Sequence, residues 1–331
     1  MIKLKRVSNF LTNYFTLFVI LVTLLAIFMP NPGTLLATTK IGHLSAVSIL
    51  LMIVLFGMGI TLAPTDFKRV AKNPLQVILG TVAHYVIMPL IAFMLVHLFG
   101  LTGAAAVGVI LVGSAPSGTS SNVMSFLSGG DVALDVSIGL LSTLLAPVMI
   151  PTLLKLLAGR WVKVPFSSMF FSAFEIVIIP IVLGVIVHTI FKQHVQKIIE
   201  VMPLISQIAI LVIILAVLSA NSHTILAVST LILIPVVILH NLLGYSLGFL
   251  FSKLMKMDIP QQKAITFEVG MQDSALASTL AISFFEPASA IAAVIFSVWH
   301  NVSGSVLASL WKKHSEKKPK TSPAYTISPE N

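Results

Sequence analysis

The chain has 331 residues, of which 57% are hydrophobic and 9% charged, and its mean hydropathy is +1.03; a soluble protein of this length could not keep so much apolar surface from water. The net charge of +9 gathers at the ends of apolar runs, which argues for membrane topology and against nucleic-acid binding. With no Cys, disulfide, thiolate and Cys-metal chemistry are excluded.

The basic start MIKLKRVSN and the apolar run behind it look like a secretory leader. No convincing small-x-small cleavage site follows, so the run is read as the first span. Counting apolar runs of about 17 to 25 residues predicts ten transmembrane helices, over 14–29, 41–62, 74–98, 103–127, 132–157, 168–191, 202–218, 228–251, 262–285 and 287–311. The first and seventh are short, so nine is the alternative. Pro64, Pro74, Pro165, Pro203, Pro260 and Pro287 fall near the proposed ends, where a missing N–H costs least.

With the amino terminus inside, only Lys40, Lys155, Arg160 and Lys163 of the 20 Lys and Arg lie outside. This bias places both termini in the cytoplasm and favours an even number of spans. The polar, basic tail 312–331 has little to bury and is expected to be disordered. Ten spans divide as five plus five, 14–157 and 168–311. Because five is odd, the halves enter the membrane from opposite sides as an inverted repeat.

Two stretches interrupt the apolar pattern at equivalent places. Span four carries Ala115 to Asn122 (APSGTSSN), and span nine carries Phe267 to Ala281 (FEVGMQDSALASTLA). Interrupted segments at matching positions of two halves point to a transporter binding site. In span nine, Glu268 and Gln272 share a helix face at i and i+4. If the helix opens near Gly270, freed carbonyls join the carboxylate as hard oxygen ligands, a set that suits Na⁺. In span four, Pro116 and Gly118 weaken the helix, and Ser114, Ser117, Thr119, Ser120, Ser121 and Asn122 offer oxygens without charge. The plainer readings are a neutral, hydrogen-bonded acid at 268 and a small-residue packing stripe in span four.

Intramembrane enzymes fit poorly. No HExxH occurs, APSG stands where a rhomboid-type protease has GxSG, and SGGD where an aspartyl protease has GxGD. No GxxxxGK[ST] phosphate loop is present either, which argues against ATP-driven pumping.

The segments PSGTSSNVMSFLSGGDVAL, FEVGMQDSALA and SVWHNVSGS resemble the bile acid:sodium symporter family, and the likeness runs through nearly all ten spans. The resemblance implies a panel domain from spans 1, 2, 6 and 7 and a core domain from spans 3–5 and 8–10, with spans four and nine unwound where they cross. It implies two Na⁺ sites at that crossing. The first uses Ser121, Asn122 and Glu268, with span-five positions that are here Asp135 and Gly139. The second uses Glu268, Gln272 and the carbonyls of Val269 and Met271, with a span-three position that is here His84. Substrate contacts fall at Thr119, Asp273, His300 and Asn301.

The departures have physical readings of their own. Asp135 either joins Glu268 in holding a cation or a shared proton, or is a first-turn acid favoured by the helix dipole behind an Asp131 cap. His84 is either a proton-linked group or a histidine packed between helices. His240, Asn241, Glu175 and Asn221 are expected to be structural. The reading is therefore an all-α integral membrane protein of the plasma (inner) membrane, a sodium-coupled symporter of small organic anions working by alternating access. It is expected to be a monomer or weak oligomer with no cofactor beyond Na⁺. Proton-coupled or sodium-independent transport through Glu268, Asp135 and His84 is the alternative, and a channel or ligand-sensing membrane protein a second.

Overall fold

A computed structural model describes residues 14–62, 74–222 and 231–316. The basic positions Lys3, Lys5, Arg6, Lys68, Arg69 and Lys72, and the tail from 317, lie outside the described residues. The chain folds as α1 (Phe15–Phe28), α2 (Asn31–Thr38), a hairpin β1 (Lys40–Ile41) and β2 (Leu44–Ser45), and α3 (Ala46–Thr61). Next come α4 (Pro74–Leu98), α5 (Gly103–Ser114), α6 (Ser120–Ser128) and α7 (Val132–Ala158). Then follow α8 (Phe166–Ala173), a π-helical turn (Phe174–Ile178), α9 (Ile179–Ile190) and α10 (Lys192–Ala220). The last elements are α11 (Leu233–Leu254), α12 (Ile259–Gly270), α13 (Ser274–Phe284), a 3-10 turn (Pro287–Ala290) and α14 (Ile291–Glu316).

Among the described residues, five helices are long and apolar enough to cross a membrane, and α1 with α2, bent by 93°, would make a sixth. The chain is an all-α, multi-pass integral membrane protein. Four further apolar helices among these residues are shorter, and two of them belong to interrupted runs. The apolar run of span four is divided into α5 and α6, and that of span nine into α12 and α13.

Three boundaries differ from the sequence reading. Residues expected to form the loop after span one fold as α2, because Gly33 lets that helix lie on α10, where a Cβ would come within 2.2 Å of Ser219 Oγ. Span seven starts ten residues early, at Lys192, since its polar first turns contain nothing that stops a helix before the apolar stripe. The disordered tail was expected from 312, yet α14 continues to Glu316, carried by Lys312 and Lys313, both good helix formers. The π turn sits just ahead of Pro180, whose missing N–H breaks the regular ladder of α9.

Two packed groups result. Helices α1, α2, α3, α9 and α10 lie against one another; α4 to α7 and α11 to α14 form the other group. Within the first, α3 and α9 pack backbone to backbone. A Cβ on Gly59 would meet Ile181 O at 2.3 Å, and one on Gly184 would meet Phe56 O at 2.5 Å. Any side chain at either glycine would push the pair apart. The second group holds both broken helices.

Candidate functional site

Each break follows from local chemistry. Ala115 precedes Pro116, so the proline ring drives it extended (ψ 157°) and α5 ends. At the other break Gly270 ends α12 and Met271 is extended (ψ 134°). Gly270 leaves no side chain at a spot where a Cβ would lie 2.1 Å from the Tyr245 ring.

The two extended segments run antiparallel and pair through Ser117 and Gln272. The Gly118 N–H donates to Met271 O (3.2 Å), and the Asp273 N–H donates to Pro116 O (2.8 Å). These bonds satisfy backbone groups that a broken helix would otherwise leave bare in the membrane. Gly118 is required here, because a Cβ would sit 2.7 Å from Gln272 O.

Neighbouring helices hold the remaining ends. The ring nitrogens of His84, fully buried on α4, each face a carbonyl: Nδ1 lies 2.8 Å from Glu268 O and Nε2 2.9 Å from Ala115 O. One ring thus clamps the last turn of α12 to the first break. Both nitrogens are turned to carbonyls, the arrangement of a histidine packed between helices, one of the two readings its residue type offered. Asn241 on α11 donates to Gly270 O (2.8 Å) and accepts from Ser303 (2.7 Å). Ser142 on α7 receives the Ser117 N–H at 3.4 Å. Sequence reasoning gave Asn241 a general structural role and passed over Ser142. Their only signal was a polar residue on an otherwise apolar helix.

Around Glu268 the buried oxygens outnumber the donors. Its side chain is 1% exposed, and its Oε1 accepts from Ser121. Asp135, fully buried in the first turn of α7, lies beside it. One turn on, a Cβ at Gly139 would meet Glu268 Oε1 at 3.4 Å, so residues 135 and 139 share the face turned to the carboxylate. Asp131 caps α7 by accepting from the Leu134 N–H (3.0 Å), as expected. Asn122 Oδ1 and Gln272 Oε1 are buried without a hydrogen-bond partner, and Glu268 Oε2, the Asp135 oxygens and Ser117 Oγ find none outside the cluster itself. A cavity of about 470 Å³ opens on Ser121, Asn122, Gly139 and Glu268. Val269 O and Met271 O already accept from Gln272 Nε2 (3.2 Å) and the Gly118 N–H, leaving each a second lone pair.

A second cavity, of about 500 Å³, shares Gly118, Thr119 and Asn122 with the first and extends between the two packed groups. Thr119, Asp273, His300 and Asn301 all line it, together with Ser206 of α10. The residues expected from sequence thus fall at a buried oxygen cluster and at a polar cavity, with Thr119 and Asn122 in the walls of both cavities. His240 Nε2 donates to Met88 O (3.0 Å), Asn221 donates to Val217 O, and Glu175 pairs with His43 at 2.9 Å. None of these three touches the crossing.

Residues 48–228 match the Sodium Bile acid symporter family. The chain is 46% identical over 325 residues to the uncharacterized sodium-dependent transporter YocS of Bacillus subtilis (strain 168), covering 98% of this chain and 99% of that protein. It is 33% identical over 309 residues to the probable chloroplastic sodium/metabolite cotransporter BASS2 of Oryza sativa subsp. japonica, covering 93% and 72%. Its identity to the ileal sodium/bile acid cotransporter of Homo sapiens is 31% over 252 residues, covering 73% and 70%. These relatives are named as transporters and cotransporters, in line with two broken helices meeting beside a cavity, and the chain is a membrane transport protein rather than an enzyme. It belongs to the sodium bile acid symporter family.

Proposed function

We propose that this chain is a sodium-coupled symporter of a small organic anion, working by alternating access. The observation that carries the reading is the cluster of buried oxygens around Glu268, in which acceptors outnumber donors. Buried oxygens without donors are costly, and a bound cation is the group that removes the cost for all of them at once. Hydroxyl, amide, carbonyl and carboxylate oxygens are hard ligands suited to Na⁺. Ser121, Asn122, Asp135, Glu268 and Gln272 would hold it, with the carbonyls of Val269 and Met271 as further donors. His84 sets the spacing of the two breaks. The names of the bacterial, plant and human relatives support sodium as the coupling ion.

The organic solute occupies the larger cavity, beside Thr119, Asp273, His300 and Asn301. A cation at Glu268 orders the crossing, and the crossing forms one wall of that cavity. Solute binding and cation binding are thereby linked through shared backbone. Ten spans in two inverted repeats of five account for the breaks falling in the fourth and ninth. The group of α1, α3, α9 and α10 then serves as the panel, and the group with the broken helices as the core. The two move against each other across the plasma membrane, both termini remaining in the cytoplasm. Each charge carried inward gains about 2.3 kcal/mol per 100 mV.

Uptake into proteoliposomes under separately imposed Na⁺ and H⁺ gradients tests the coupling. Accumulation driven by Na⁺ is expected, and indifference to Na⁺ would sink the sodium claim. A second reading, proton coupling, draws on the adjacent carboxyls of Glu268 and Asp135, which could share one proton. Concentrative uptake driven by a pH gradient alone, and lost in Glu268→Gln, would favour it.

A further inference from the structure

The hydrogen-bond ladder of α12 runs out at Gly270, and its last carbonyls take partners elsewhere. Val269 O accepts from Gln272 Nε2 within the break itself (3.2 Å). Glu268 O lies 2.8 Å from His84 Nδ1, and that ring leads back to Ala115 O at the first break. Gly270 O is tied in another direction. It accepts from Asn241 Nδ2 of α11 (2.8 Å), and Asn241 Oδ1 accepts from the Ser303 hydroxyl (2.7 Å), which stands on α14 three residues past His300.

Chemistry fixes the orientation of the Asn241 amide. A carbonyl only accepts, so the NH₂ must face Gly270 O and the amide oxygen must face Ser303. The two bonds therefore run in one direction, from Ser303 O–H to Asn241 and from Asn241 N–H to Gly270, an arrangement in which each polarises the other. Asn241 and Ser303 are both buried. Because a carboxamide is planar, its ends turn together. A shift of Gly270 O then either carries Ser303 with it or leaves a buried polar atom unpaired. Close packing joins the same three elements independently. A Cβ at Gly244 of α11 would lie 3.1 Å from Gly270 Cα, and one at Gly304 of α14 would lie 3.3 Å from Met271 Sδ. Contacts this tight transmit a displacement rather than absorb it. On α14, His300, Asn301 and Ser305 line the 500 Å³ cavity.

We propose that Asn241 and Ser303 are positioning residues through which a cation at Glu268, two residues before Gly270, sets the α14 wall of the solute cavity. This rests on the sodium reading above and adds to it a route from cation to solute that bypasses the paired backbone of the crossing.

The test exploits a chain with no Cys, in which Ser305→Cys places a single thiol on the exposed part of that wall. The purified full-length protein is labelled with N-ethylmaleimide in NaCl and in choline chloride, so that the probe is the ion alone. Cation binding is read separately, as the thermal stabilisation given by NaCl over choline chloride. Sodium should change the labelling rate about threefold or more, the scale on which coupling elements act. Ser303→Ala and Asn241→Leu, each added to the reporter, should abolish that change while NaCl still stabilises the protein. Ser303→Thr, which keeps the hydroxyl, should retain it. So should Tyr245→Phe, which removes a neighbouring hydroxyl 3.4 Å from Ser303 Oγ and leaves both relay bonds in place. The proposal is overturned if the labelling change survives undiminished in Ser303→Ala or Asn241→Leu, or if Tyr245→Phe abolishes it equally. Stabilisation by NaCl with no labelling change in the parent would also overturn it and leave the sodium reading standing. No stabilisation by NaCl at all would remove the sodium reading, and the relay with it.

Discussion

The two breaks at the crossing look alike in backbone and differ in charge. The first, from Ala115 to Thr119, contains a proline, a glycine and hydroxyls, and no ionisable side chain. The second, from Met271 to Asp273, ends in a carboxylate and is preceded one turn earlier by Glu268. Both are extended, and each donates one backbone N–H to the other. The division teaches that shape and charge are supplied separately: the first break provides a close-fitting surface of neutral oxygens and the second the carboxylates, which on the proposed reading give a cation reason to enter.

The comparison can be broken most directly at Glu268. Glu268→Gln keeps size and hydrogen bonding but removes the charge. Sodium-driven uptake should fall by about a hundredfold or more, on the order of 3 kcal/mol, as expected for a buried charge interaction. If uptake retained its full sodium dependence, charge would not reside at the second break. Next in size is Gly118→Ala. Its Cβ would meet Gln272 O at 2.7 Å and must push the segments apart, at a cost of about 1 to 3 kcal/mol. Uptake should drop by roughly tenfold to a hundredfold while the helical content measured by circular dichroism is kept.

Ser121→Ala removes one neutral oxygen and the bond to Glu268. Apparent sodium affinity should weaken by roughly fivefold to tenfold, the value of one bond to a charged group in a partly compensated site. A loss as large as that of Glu268→Gln would mean that the first break does more than shape the site. The smallest expected change is a gain. Gly139→Ser puts a hydroxyl on the face turned to Glu268, where a Cβ fits at 3.4 Å, a tight but workable contact. One more hard oxygen should tighten apparent sodium affinity by about twofold to fivefold, read from the sodium dependence of uptake. Unchanged or weaker affinity would place the cation away from α7.

Much of this was legible in sequence because its causes are local. Apolar run length marked the membrane helices, Pro116 and Gly118 announced the first break, and Asp131 read as the cap it is. Asp258 carries a comparable signal: it accepts from the Gln261 N–H at 2.9 Å and completes a capping box at the start of α12. Glu268, Gln272, Ser121 and Asn122 could be grouped because a carboxylate and clustered hydroxyls are rare at such depth.

What escaped depends on which helix faces which. The family resemblance put His84 at a cation-ligand position, while its residue type allowed a proton-linked or a packed histidine. Only its two carbonyl contacts, 184 and 31 residues away in sequence, show a clamp. Asn241 gave no sign of reaching Gly270 O. Helix α2 was hidden for another reason: its sequence, NPGTLLAT, reads as a turn, and it is helical through packing of Gly33 on α10. Lys263 is similar. It stood as one of the cytoplasmic basic residues of the topology count, and its ammonium donates to Ser128 O at the last turn of α6, tying the two broken helices together a second time.

The two segments at the crossing are joined by main-chain atoms. Gly118 N–H to Met271 O and Asp273 N–H to Pro116 O would persist with almost any side chain at 135, 272 or 273. Such a joint lets descendants of one ancestor alter cargo and coupling ion by single substitutions without rebuilding the machine. The architecture is inherited as backbone, while the selectivity is left open to drift.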